Sequence, residues 1–156
     1  MRRMRVLAVG AAALGVVVTA APPSGADGAP VAGLSYHGVV SMTGGQVDLR
    51  LTPRNHGPSA VPEATVRLSW SVAPENGQLL PAGCVRSGPR VMLCRVGALA
   101  AGAVGEQIEV RLRLRGAPSE VLVEIGTEWS AGVVDGSRKA GRERVLVLDT
   151  GDEYYF

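Results

Sequence analysis

Ile108-Glu109-Val110-Arg111-Leu112-Arg113-Leu114-Arg115 alternates apolar and charged residues without a break. Successive side chains of an extended chain point to opposite faces, so this period of two places Ile108, Val110, Leu112 and Leu114 on one buried face and leaves the charges in water. The same period recurs on both sides. Val47, Leu49 and Leu51 alternate with Asp48, Arg50 and Thr52; Val66, Leu68, Trp70 and Val72 with Arg67, Ser69 and Ser71; and Val121, Val123, Ile125 and Thr127 lead to Trp129. Shorter strands are expected at Leu34–Met42, Arg90–Val96 and Arg144–Asp149. Between them stand Thr43-Gly44-Gly45, Asn55-His56-Gly57-Pro58, Pro74-Glu75-Asn76-Gly77 and Gly116-Ala117-Pro118, all with turn chemistry. About seven short strands at roughly ten-residue spacing predict an all-β antiparallel sandwich. The alternation argues against a parallel sheet, whose strands would be apolar on both faces.

The local pattern also suggests a pairing. With Gly116–Ser119 as a hairpin loop, Arg115 faces Glu120 and Arg111 faces Glu124, while Leu114, Leu112, Val110 and Ile108 meet Val121, Val123, Ile125 and Thr127. Both faces are satisfied by that register. The arginines then read as a solvated, partly ion-paired strand face and not as a nucleic-acid stripe.

The chain has 156 residues and begins with a different kind of segment. Arg2, Arg3 and Arg5 precede an uncharged run from Val6 to Ala21, followed by Pro22-Pro23-Ser24-Gly25-Ala26 with small residues at Ser24 and Ala26. This is the pattern of a cleaved signal peptide of the general secretory type; the run is shorter than the roughly 20 apolar residues a membrane span needs. The expected layout is a signal peptide over 1–26, a flexible Gly/Ala/Pro lead-in over 27–33, a sandwich over 34–150 and an acidic-aromatic tail over 151–156. No cysteine lies near the end of the apolar run and no second apolar segment follows, so a free secreted protein without a membrane span is expected, at most loosely held at the cell wall. The whole chain carries 16 Lys+Arg against 14 Asp+Glu. Loss of Arg2, Arg3 and Arg5 with the leader leaves 13 against 14, formally −1, which gives no global attraction to nucleic acid or anionic membrane.

Cys84 and Cys94 are the two cysteines. In an oxidising compartment they are expected to form a disulfide clipping a short β-turn-β segment. A redox pair more typically has two intervening residues and a helix N-terminus. Asp149-Thr150-Gly151 matches the triplet of aspartic proteases, but with five residues remaining it reads as a strand end and a turn. His37 and His56 are the only histidines; no His/Cys ligand set, phosphate loop or nucleophile elbow accompanies them. Asp135-Gly136-Ser137 lacks the companion carboxylates of a calcium loop. No cofactor, metal or catalytic residue is expected. Trp70 and Trp129 have inward parity and are assigned to the core, which counts against a carbohydrate-stacking face. Tyr154, Tyr155 and Phe156, following Asp152-Glu153, are candidate partner-binding residues, with docking of the tail on its own sandwich as the alternative.

The loops carry a family likeness. Asn55-His56-Gly57-Pro58-Ser59 resembles the N-x-G-P-S turn of the bacterial Ig-like repeats called domain of unknown function 11. Leu80-Pro81-Ala82-Gly83 resembles their L-P-x-G segment. Cys84 and Cys94 stand where many members have a cysteine pair, and Gly97-Ala98-Leu99-Ala100-Ala101-Gly102 resembles the L-x-A-G turn before the next strand. The likeness runs from about Val47 to Trp129. It implies a seven-stranded extracellular sandwich without enzymatic activity, here in one copy, with Asp135–Arg142 where members often close with an Asn-rich turn. The composition is of the GC-rich, actinobacterial type.

The resulting expectation is a secreted, non-catalytic Ig-like structural or interaction module of the bacterial envelope or medium, whose partner is another extracellular protein. The alternative is an inhibitor or ligand-binding module acting through an exposed loop, the Ala73–Gln78 turn or the Arg86–Arg90 loop, or through the tail. Its oligomeric state is not legible in the sequence.

Overall fold

In a computed structural model, residues 32–128 and 138–156 are described. Residues 1–31, Trp129 and Asp135-Gly136-Ser137 lie outside them. Ten strands follow in order: β1 (Ala32–Thr43), β2 (Gln46–Asn55), β3 (Ala64–Trp70), β4 (Cys84–Gly88), β5 (Val91–Val96), β6 (Ile108–Arg113), β7 (Glu120–Glu128), β8 (Arg138–Ala140), β9 (Glu143–Leu148) and β10 (Tyr154–Tyr155). One sheet runs β10-β1-β2-β6 and the other β4-β5-β3-β7-β9. All of these neighbours are antiparallel; β8 pairs in parallel with Ala32–Leu34 on β1. The expected all-β, Ig-like sandwich is therefore what forms, with β4, β8 and β10 added to the main strands.

The alternation decides which side chains are inside. Val47, Leu49, Leu51, Val110, Leu112 and Leu114 from one sheet meet Val66, Leu68, Trp70, Val121, Val123 and Ile125 from the other, all buried. Trp70 takes the core position read from its parity. Tyr36 is buried too, and its hydroxyl crosses the sandwich to Thr127 Oγ1 at 2.6 Å. Burial pushes its phenol up to about 12, an effect the Thr127 hydrogen bond partly opposes. Cys84 and Cys94 are directly opposed on β4 and β5, with Cα atoms 4.0 Å apart, and are disulfide-bonded.

The β6–β7 hairpin does not form. β6 pairs with β2, placing Arg111 opposite Asp48, while β7 lies in the other sheet between β3 and β9. Arg111 is ion-paired to Asp48 at 3.0 Å and Glu124 to Arg144 at 2.6 Å. The end of β6 is held from two sides, since Leu114 N donates to Gly45 O at 2.8 Å and Arg115 N to Ala73 O at 2.9 Å. Gly116 (φ 74°) and Ala117 (φ 44°) are both left-handed. They carry the chain across to the second sheet, where Ser119 O accepts from Asp149 N. Ala117 packs onto Gly45 so closely that a Cβ at position 45 would lie 2.7 Å from its Cα. Glycine at 45 is thus required both by its positive φ and by that contact.

Candidate functional site

Most of the sandwich's polar chemistry serves the fold. Asn55 is the single buried polar residue among those described. Its Nδ2 donates to Ser59 O (2.8 Å) and Ala100 O (3.1 Å), and its Oδ1 accepts from Gly57 N (3.0 Å) and Gly33 N (3.4 Å). Its backbone N donates to Ala103 O. One side chain thus fastens the Asn55–Ser59 turn, the Gly97–Gly102 loop and the start of β1 together. Two of the loop motifs singled out in the sequence meet on it.

The same pole of the sandwich holds an open groove of about 680 Å³, lined by Pro53, Arg95, Leu99, Val104, Glu106 and Ile108 among others. Nearby, Ser35 Oγ lies within hydrogen-bond reach of His56 Nε2, and the His37 and His56 rings meet edge to face at 6.3 Å. Sequence reading missed this pair because strand register, not spacing, brings positions 35 and 56 together. No carboxylate among the described residues bonds His56, and no cluster of three metal-ligating side chains forms there or elsewhere among them. Asp149-Thr150-Gly151 is a turn after β9, with Gly151 at φ 80°.

The aromatic tail lies on β1. Tyr154 pairs with Val40 and Tyr155 with Val39. Gly38 N donates to Phe156 O and Phe156 N to Gly38 O. Tyr154 and Phe156 pack against the core, whereas Tyr155 is 75% exposed. A Cβ on Gly38 would strike Arg50 O and approach Phe156 Cζ to 2.9 Å, so the glycine makes room for the ring. Glu153 adds an ion pair to Arg50 at 3.1 Å. Deleting Asp152–Phe156 should therefore cost about 2–4 kcal/mol, from the burial of roughly 100–150 Å² of apolar surface at about 25 cal/mol per Å², with the backbone hydrogen bonds offset by the entropy of ordering the tail. An unchanged melting temperature would contradict the docking.

At the opposite pole the two loops proposed from the sequence as recognition elements are tied to each other. Arg86, on β4, donates from Nη1 to Asn76 Oδ1 (2.9 Å) and from Nη2 to Glu75 O (2.8 Å). Arg115 donates from Nη2 to the same Asn76 Oδ1 at 2.8 Å. The Gln78 amide hooks onto the outer edge of β6. Its Oε1 accepts from Arg113 N at 2.6 Å, and its Nε2 donates to Arg113 O at 2.9 Å. Gln78 here imitates a neighbouring strand and covers that length of open edge. The next residue, Leu79, is 95% exposed.

No family model, curated protein or solved structure matches this chain.

Proposed function

We propose that the protein is a secreted, non-catalytic Ig-like module of the bacterial envelope or medium, and that it works by contact with another extracellular protein through the Ala73–Leu79 segment. Leu79 is the observation that carries this reading. A leucine held almost wholly in water forfeits apolar burial worth about 1.5–3 kcal/mol. It stands on a loop fastened at Glu75, Asn76 and Gln78, so a partner that covers it has little ordering entropy to overcome. An exposed apolar side chain on a loop to which the Arg86 and Arg115 guanidiniums are bonded offers a partner an apolar contact and charged donors on one segment. The leader-like residues 1–26 and the Cys84–Cys94 bond support export, since disulfides persist in oxidising compartments. The order of loop motifs shared with the domain of unknown function 11 repeats supports an extracellular, non-enzymatic role.

The test is a photo-crosslinking amino acid placed at position 79, or at the 60% exposed position 104 on the other pole, in protein secreted by its own host. A discrete adduct from position 79 and none from 104 is the expected result. Adducts of the same size from both positions, or from 104 alone, would refute the loop as the contact face. Intact mass of the secreted protein should correspond to a chain starting at Asp27 with no free thiol.

A further inference from the structure

We infer that Arg86 and Arg115 form a carboxylate-binding site, and that the partner presents an acidic segment with an apolar neighbour, the carboxylate to the two guanidiniums and the apolar side chain to Leu79. This rests on the loop reading above and names the chemistry of its partner.

The charge distribution leads there. Arg50, Arg67, Arg95, Arg111 and Arg144 each lie within 4 Å of a carboxylate. Among the described residues Arg54, Arg90 and Arg142 have no carboxylate partner, and neither do Arg86, Arg113 and Arg115 around the loop. The recorded acceptors of these last three are neutral oxygens: Asn76 Oδ1, Glu75 O and Gly44 O. Arg115 in particular loses the Glu120 partner that a β6–β7 hairpin would have given it, because Glu120 sits opposite Leu148 in the other sheet. Glu75 is the acidic residue within the loop, and it offers Arg86 its carbonyl.

Two cations sharing one amide oxygen are held no farther apart than two hydrogen-bond lengths. Bringing like charges that close is unfavourable unless an anion joins them. Each guanidinium has five N–H donors in a planar fork, and most of them remain open here. That fork matches a carboxylate in bidentate fashion. A phosphate or sulfate shares the oxyanion chemistry but leaves Leu79 without a role. The mature chain's near-neutral charge supplies no field for a polyanion. Leu79, three residues along the chain from Asn76, therefore favours a peptide.

The experiment follows the arginine Nε–H signals of the isotopically labelled, disulfide-intact protein by NMR. The probes are the blocked tetrapeptide Ac-Leu-Asp-Glu-Leu-NH2, its Asn/Gln isostere, and sodium sulfate at matched ionic strength. The acidic peptide should shift Arg86 and Arg115 saturably, and the isostere should bind at least about tenfold more weakly, the size of one charge-assisted hydrogen-bond contribution. Arg115→Gln should weaken the acidic peptide by a similar factor, whereas Arg111→Gln, which removes a partner of Asp48, should not. Equal shifts with sulfate would identify a free inorganic anion as the ligand and overturn the peptide assignment. Absence of saturable shifts at both arginines would overturn the site. If position 79 crosslinks a partner equally well in the Arg115→Gln protein, the loop reading stands and the carboxylate assignment falls.

Discussion

Asn55→Ala should lower the unfolding free energy by about 3–5 kcal/mol, one of the two largest single-residue losses in the domain. The side chain is fully buried and has four close backbone partners. Alanine strands the Ser59 and Ala100 carbonyls and the Gly57 N–H, and each orphaned group costs about 1–3 kcal/mol where water cannot replace the bond. Asn55→Asp discriminates further. Its carboxylate would turn an acceptor oxygen toward the Ser59 and Ala100 carbonyls where Nδ2 now donates, so it should be at least as damaging as alanine. Denaturant unfolding of both variants checks this. A tolerated aspartate would contradict the donor role of Nδ2, and a loss below about 1 kcal/mol for alanine would remove Asn55 as the tie between the loops.

Trp70→Ala should cost a comparable 3–5 kcal/mol, the range for emptying a large aromatic site in a core. Trp70 ends β3, the central strand of its sheet, at 2% exposure and opposite Val123. Trp70→Phe keeps most of the volume and should cost less than half as much. Both are measured by thermal or denaturant unfolding followed by far-ultraviolet circular dichroism. A surface-sized loss for alanine, coupled with loss of a glycan or peptide ligand, would move Trp70 from the core to a binding face.

How much of this was legible in the sequence varies by level. Strand existence and facing were, because a period of two in Val47–Leu51, Val66–Trp70, Ile108–Leu114 and Val121–Thr127 has one physical reading. The partner of β6 was not. Arg111 has an acidic partner available in either arrangement, Glu124 by the local hairpin or Asp48 by the long-range pairing. Leu112 and Val123 are buried either way. Parity fixes which face a residue takes, but not which strand lies beside it. The arrangement found is closed by backbone hydrogen bonds at Gly45, Ala73 and Ser119, which no side-chain pattern announces. The same limit applies to the site. The Ala73–Gln78 turn and the Arg86–Arg90 loop were visible as separate exposed loops; their joining through Asn76 and the hook of Gln78 depend on which strands flank β6. The Asn55 turn was visible as a motif, but its contact with the Gly97–Gly102 loop was not. The tail aromatics were visible as apolar groups needing cover, and Gly38 as the place that receives Phe156 was not.

That Arg115 has no carboxylate opposite it follows from one feature of the topology, namely that β6 lies beside β2 and not beside β7. The Arg111 Hα proton reports on this directly. In the register found here Arg111 faces Asp48 across the β2–β6 ladder. It is a non-hydrogen-bonded position, judging from the Leu114 N to Gly45 O bond further along, and such pairs bring Hα protons closest. The expected result is a strong nuclear Overhauser effect between the Hα protons of Arg111 and Asp48. A strong effect between Arg111 and Glu124 in its place would restore the hairpin, return Arg115 to Glu120, and contradict the binding pole.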